Sequence, residues 1–408
     1  MVFEYDGRMQ SGCDVLIAGG GIVGLSVARD LLISNPKLKV VVAEKESHLG
    51  AHASGRNSGV LHAGFYYSPD SLKAKFCKDG NKELRILCKN HGIEIIDTGK
   101  IVVAKNASEV LQLEKLYQRG ILNGIEVELL ESKHLINFEP LARTHEKFLW
   151  SPTTAVGNPS LIIQSLSREV IEMGGLLLLK NQVKLSGDGV AQVGSELMTY
   201  RHFVNCAGAQ SDRLAHEFGV GKEFTMIPFM GKYRAVERSL LPIRTLIYPV
   251  PHHINPFLGV HFTLTIDGKV KIGPTAIPIL GREQYAAFRG LDPRDILDST
   301  RALITIARGE SHDLSSMIRN EFPRVLESVL VQESSVLVPK ASEVKGWKSR
   351  PPGIRSQLVN LTTGQLEQDF VVLSGDSSTH ILNAVSPGWT AALPFGRWVV
   401  REKIMPWL

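Results

Sequence analysis

The chain has 408 residues, 43% of them hydrophobic and 21% charged, with a formal net charge of +5. That balance excludes a disordered chain, and at this length two domains of unequal size are expected rather than one core. No apolar run reaches the roughly 18 residues of a spanning helix, the opening MVFEYDGRMQSG lacks the apolar stretch of a secretory signal, and the basic residues are scattered without interleaved aromatics, so a cytoplasmic protein that binds no nucleic acid is expected.

Residues 15–18 read as a short buried strand, followed by Gly19-Gly20-Gly21-Ile22-Val23-Gly24 and then by apolar residues at helical spacing as far as residue 33. A β-branched run at 39–43 ends in Glu44, which completes a βαβ opening. In a G-x-G-x-x-G turn of this kind Gly19 permits the tight turn, Gly21 lets backbone approach a pyrophosphate, and Gly24 allows close helix packing. The helix start supplies free N–H groups and a positive dipole end. Glu44 is placed to accept hydrogen bonds from both ribose hydroxyls and to disfavour a 2′-phosphate. A lone glycine motif is as often a turn before a core helix; strand, helix and Glu44 in register favour a dinucleotide. The motif by itself fits NAD or FAD. The long, small-residue, polar stretch from Gly50 to Gly64, where an NAD enzyme continues its sheet, suits an extended FAD.

Helical patterns at 81–90 and 108–123 leave the nucleotide sheet. A helix at 160–174, a strand at 176–179 and a strand at 202–205 running into Cys206-Ala207-Gly208 return to it. Residues 224–271 are rich in strand-like stretches, at 233–236, 246–248 and 258–265, and an antiparallel sheet on the substrate side fits them best. A helix at 295–306, strands at 358–360 and 370–373, and a closing helix at 387–403 complete the reading. The four cysteines, Cys13, Cys77, Cys88 and Cys206, form no C-x-x-C pair, so neither a metal site nor a disulfide is expected.

The string GRNSGVLHAGFYYSPDSLKAKFC, from Gly55 to Cys77, resembles the L-2-hydroxyglutarate dehydrogenase or oxidase family of the D-amino acid oxidase-like flavoproteins. NCAGAQSD at 205–212, YPVP at 248–251, LGVHFT at 258–263 and PGIR at 352–355 extend the resemblance over most of the chain. It implies an α/β fold, a Rossmann-like FAD-binding domain with an inserted substrate domain of antiparallel sheet and helices. The expected FAD-binding parts are 1–80, 150–222 and 330–408, and the substrate domain is 81–149 and 223–329. By the same resemblance Ser58, Gly59 and Val60 lie along the flavin, Ala207 and Gly208 near the adenosine, and Pro387 at a helix start near the pyrimidine edge, with Lys45 and Val183 among the cofactor contacts. The family's Ser-Pro-Ala-Ala-Thr-type closing motif here reads Ser386-Pro387-Gly388-Trp389-Thr390, which puts the bulk of Trp389 at that edge.

Oxidising a secondary alcohol by hydride transfer requires a base for the hydroxyl proton, and histidine titrates nearest neutrality. His261 is the first choice and His62 the second; some relatives attach flavin covalently through a histidine in the His62 stretch, which gives that residue an alternative role. Arg355 is the candidate for the substrate carboxylate because a planar guanidinium binds it through two hydrogen bonds. Tyr248, held extended by Pro249, is a candidate hydroxyl donor, and Arg56 and Lys73 are weaker cations. The implied reaction takes L-2-hydroxyglutarate, a small dicarboxylate, to 2-oxoglutarate, with electrons passing to oxygen or a quinone. The alternatives are a flavin oxidase of glycine, sarcosine or glycerol 3-phosphate, and a non-catalytic FAD-binding protein. The tail from Trp398 to Leu408 reads as a packed helix, with peripheral membrane contact as the alternative.

Overall fold

The computed structural model describes residues 12–251, 258–286, 289–308 and 321–408. At its centre lies the strand Gly12–Ala18, paired in parallel with Val40–Glu44 on one side and Glu196–Asn205 on the other. Leu176–Leu179 and Ser378–Ile381 extend the sheet in parallel at its two flanks. The strands Val183–Gly187, Val190–Val193 and Val372–Gly375 join it antiparallel. Val15, Leu16 and Ile17 are wholly buried. Such an unbroken apolar run is what a parallel strand covered on both faces requires. One cover is built from the helices Ile22–Ser34 and Gly388–Val399, whose Val27, Leu31, Phe395 and Val399 share a core with Val15 and Ile17.

A second sheet of eight strands runs Lys348–Ser349, Arg234–Glu237, Lys269–Gly273, His261–Leu264, Leu246–Pro249, Lys100–Val103, Lys147–Ser151 and Glu128–Glu131. It is antiparallel, as expected, except where Leu246–Pro249 lies parallel to Lys100–Val103. These two strands come from distant segments, so a long connection rather than a hairpin joins them, and a parallel pair costs no tight turn. Between the large sheets, Phe224–Gly231 pairs with Gly353–Asn360 along its whole length. Arg282, fully buried, ties the segment after Ile277–Pro278 to the nucleotide half through Asp212 at 2.8 Å and to the helix Pro293–Arg308 of its own region through Asp298 at 3.0 Å.

Two expected boundaries meet a different arrangement. The helix expected at 81–90 spans Leu72–Asn90; Ser71 caps it by accepting the Ala74 N–H, and Asp369 accepts the N–H groups of Leu72 and Lys73. The boundary after residue 80 thus falls inside a helix that packs on the closing helix, and Gly353–Asn360 joins a strand of the inserted region. The early turns of Leu72–Asn90 escape a periodicity reading because Lys73 is buried where a charged residue signals solvent. The closing helix itself ends at Val399 and passes into a wider π-helical turn, Val400–Ile404.

Gly80 is the joint between those two helices: a Cβ there would stand 2.1 Å from the Thr390 carbonyl oxygen and 2.9 Å from the Ala391 Cα. Gly80→Val should therefore destabilise the fold by about 1–3 kcal/mol or more through overpacking and loosen bound FAD. A thermal midpoint and flavin content equal to the parent's would show that this contact does not carry the joint.

Candidate active site

Two of the motif glycines, Gly19 and Gly24, are demanded by close approach of backbone, and Gly21 by a neighbouring side chain. Gly19 has φ +110°, and a Cβ on it would stand 2.4 Å from the Cys206 carbonyl oxygen; at Gly24 the obstacle is the Gly19 carbonyl oxygen at 2.1 Å. At Gly21 it is the Ser54 hydroxyl at 2.9 Å. That hydroxyl accepts the Ile22 N–H at 3.0 Å, which fastens the small-residue stretch to the start of the helix. Glu44 is buried, with Oε2 accepting the Gly20 N–H and Oε1 the Glu46 N–H, both at 2.9 Å. Each carboxylate oxygen keeps a further lone pair for ribose hydroxyls. Lys45 forms ion pairs with Glu46 at 2.6 Å and Glu283 at 2.8 Å. Glu46, His52 and Glu283 bring possible metal ligands together here, and the Lys45 ammonium already supplies the positive charge between the two carboxylates.

From this cradle a cavity of about 1200 Å³ runs toward the second sheet. That exceeds the roughly 300–1000 Å³ of an ordinary small-molecule pocket and leaves room for a substrate beside a dinucleotide. Its wall brings together Gly19, Gly21, Gly24, Glu44, Lys45, Ser58, Val60, Val183, Ala207, Gly208 and Pro387. Gly59 is not on the wall. It has φ +74°, and its missing side chain makes room for the Gly157 carbonyl oxygen, 2.4 Å from where a Cβ would be. Thr390 accepts the His62 N–H and donates to the Val60 carbonyl, both at 3.2 Å, so the start of the closing helix is locked to the 58–62 stretch. Trp389 lines the cavity, and its buried Nε1–H has no acceptor among the described residues. The glycine cradle, the fixed Glu44 and this unanswered donor all fit FAD, with its pyrophosphate, ribose and ring carbonyl groups.

At the far end the wall includes His62, Tyr248, His261 and Arg355. His261 Nδ1 lies 2.8 Å from the Gly259 carbonyl oxygen. A carbonyl can only accept, so Nδ1 carries the proton and Nε2 holds a free lone pair. The imidazole stacks on Tyr248 with centroids 3.8 Å apart. Burial pushes His261 down to about 3, and the charges of Lys100 and Lys271 add to that push. Burial, then Lys100, holds His62 well below the usual histidine range. Arg355 donates to the Gln357 side-chain oxygen at 3.1 Å; burial lowers it to about 10, so it stays charged at neutral pH.

The weaker cations separate. Arg56 lies on the wall with its guanidinium 4.2 Å from the Tyr285 ring centroid. Lys73 is not on the wall; it is buried 5.8 Å from the Phe370 ring centroid, and burial together with the charge of Arg355 lowers it to about 7. Sequence reasoning missed two residues here. Lys100 opens the apolar run Lys-Ile-Val-Val and Lys271 lies between Val270 and Ile272, and a lysine beside apolar strand residues carries no signal of its own that it is buried. Burial lowers Lys271 to about 8, and its ammonium lies 5.0 Å from the Tyr233 ring centroid.

The chain belongs to the DAO family of FAD-dependent oxidoreductases, whose family model matches residues 14–401. It is similar to the mitochondrial L-2-hydroxyglutarate dehydrogenase of Caenorhabditis elegans, 34% identical over 96% of this chain and 93% of the relative. It is equally similar to the L-2-hydroxyglutarate dehydrogenase of Escherichia coli strain K12, at 34% identity over 95% of this chain and 92% of the relative. Among solved structures, dithionite-reduced L-alpha-glycerophosphate oxidase from Mycoplasma pneumoniae with FAD bound shares the fold, with a TM-score of 0.74 at 23% identity over 96% of this chain and 94% of that one. Glycine oxidase from Geobacillus kaustophilus shares it at a TM-score of 0.69 and 17% identity, over 96% and 94% of the two chains.

Glu44→Ala removes the acceptor for two backbone N–H groups and the ribose anchor together. A hydrogen bond to a charged group contributes about 1.5–3 kcal/mol, so FAD affinity should fall about tenfold to a hundredfold, measured by the fluorescence of flavin released at equilibrium. Unchanged affinity would place the ribose elsewhere.

Proposed function

We propose that this chain oxidises L-2-hydroxyglutarate to 2-oxoglutarate with FAD as cofactor. The observation that carries the chemistry is the His261 tautomer: a bond to the Gly259 carbonyl fixes the proton on Nδ1 and leaves Nε2 as a base on the wall of the same cavity as Arg355. Bound FAD supplies the acceptor for the hydride leaving C2. His261 takes the hydroxyl proton on Nε2. A histidine held near 3 is a weak base in the ligand-free cavity, but two substrate carboxylates favour the imidazolium and raise it toward the working range. Arg355 holds the carboxylate beside C2 through its planar fork, and the Tyr248 hydroxyl donates to the distal one. Lys73 is displaced from that second role by its position off the wall.

The same reading keeps the discontinuous two-domain plan, with the helix Leu72–Asn90 assigned whole to the FAD-binding part because it packs on the closing helix. Among the described residues no helix is long and apolar enough to cross a membrane. We place the chain in the cytoplasm, with at most peripheral membrane contact, and with oxygen or a quinone taking the electrons.

His261→Ala should retain FAD and slow flavin reduction by about 10² to 10⁴; an unchanged stopped-flow rate would pass the base role to His62 or to solvent. In anaerobic bleaching, L-2-hydroxyglutarate should reduce the flavin at least about tenfold faster than L-lactate, which lacks the second carboxylate and its charged hydrogen bond. The D-enantiomer should fail, because fixing both carboxylates turns its C2 hydrogen away. Equal rates with lactate, or faster bleaching by glycine, sarcosine or glycerol 3-phosphate, would sink the assignment, and no bleaching by any of them would point to a binding protein without turnover.

A further inference from the structure

Lys100 is fully buried in the strand Lys100–Val103, and its ammonium nitrogen has no hydrogen-bond acceptor among the described residues. Its surroundings are aromatic: the nitrogen lies 4.4 Å from the ring centroid of Tyr248, 5.0 Å from that of Tyr66 and 5.4 Å from that of Phe65. Tyr248 lines the cavity and carries the His261 imidazole stacked upon it.

The titratable groups facing Lys100 offer no counter-charge. Burial raises the Cys77 thiol to about 12, holds the Tyr66 and Tyr248 phenols above their usual range, and keeps His62 and His261 uncharged at neutral pH. The other buried lysines at this end differ, since Asp369 acts on Lys73 and Asp267 on Lys271. A buried ammonium is ordinarily paired. An aromatic cage compensates for part of the lost hydration through the ring quadrupoles, but it supplies no net negative charge.

We infer that Lys100 is a positioning residue for dianionic ligands, acting through the Tyr248 ring on the cavity wall so that a bound dicarboxylate is its missing counter-charge. The inference rests on the dicarboxylate reading of the site. Its consequence is a proton linkage. Burial lowers Lys100 to about 7, so the free enzyme holds it only partly protonated near neutrality. A nearby anion raises it, and binding then draws a proton from solvent onto Nζ. The sign follows: affinity for a dianion is strongest below about pH 7 and weakens as pH rises through the raised value. Lys73, Lys271, His261 and His62 contribute with the same sign and Arg355 stays charged, so substitution must identify the Lys100 share.

The test uses the FAD-loaded protein and 2-oxoglutarate, which cannot reduce the flavin. Binding is followed by perturbation of the flavin absorbance between pH 6 and 9, and proton uptake by calorimetry in two buffers of different ionisation heat. Wild type should take up protons near pH 7.5 and lose about tenfold in affinity toward pH 9, the effect of one pKa unit of linkage. Lys100→Met should bind about tenfold more weakly at pH 7 and take up less proton. Lys100→Arg, charged throughout, should keep affinity at pH 7 and flatten its pH dependence. Wild-type affinity and uptake in Lys100→Met would overturn the inference, as would a Lys100→Arg protein as weak as the methionine variant, which would assign the residue to packing. A wild type that binds no 2-oxoglutarate overturns the substrate reading and this inference with it; one that binds normally beside an unaltered Lys100→Met overturns the inference alone.

Discussion

Everything at this site depends on one near-contact of backbone, the approach of Gly19 to the Cys206 carbonyl. It exists because Gly12–Ala18 and Glu196–Asn205 run parallel side by side and end at the same level. Two chain segments far apart in sequence therefore discharge their following loops, one with the glycine turn and one with Ala207 and Gly208, onto the wall of the same cavity. Any side chain at Gly19 would separate the strand ends and open the cradle. The Glu44 carboxylate, gripping Gly20 from the third parallel strand, makes the arrangement rigid without charge on the phosphate side.

The far end of the cavity obeys a different constraint, the cost of keeping cations out of water. Lys73, Lys100, Lys271 and Arg355 are all lowered by burial, and the carboxylates acting on this group are Asp369 and Asp267. A structural core would avoid such an excess of positive charge, since unpaired buried charge is destabilising. A site for a doubly negative substrate requires it, and burial, reinforced by the Lys100 charge, keeps both histidines neutral and ready to accept a proton.

Legibility in the sequence follows the range of the forces involved. The nucleotide half was readable because its determinants are local: glycines at fixed offsets, an apolar strand, a helix period, and an acid at the next strand end. Ser58, Val60 and Pro387 were singled out only through family resemblance and line the cavity, whereas Gly59, named by the same route, lies off the wall and makes room for the Gly157 carbonyl. His261 was legible as a residue type, but its tautomer depends on where the Gly259 carbonyl points. Lys73 and Lys100 illustrate the opposite errors. The first was offered to the substrate and is buried off the cavity wall beside Phe370, while the second drew no attention in the sequence and lies buried against the ring of Tyr248, which does line the cavity. Charge in a sequence signals solvent, and only tertiary packing decides when that signal is false.

The Thr390 hydroxyl bridges the Val60 carbonyl across 330 positions of sequence. A nascent chain emerging from the ribosome can thus finish its first strand, glycine turn and the Glu44 carboxylate long before the helix Gly388–Val399 has been synthesised. Until Gly388–Val399 arrives, the cavity lacks the wall made by Gly388, Trp389 and Thr390, and the apolar face of Leu72–Asn90 lacks its cover. The cavity is accordingly completed only by the last stretch of chain to be made, whose Phe395 and Val399 then seal a core begun by Val15 and Ile17.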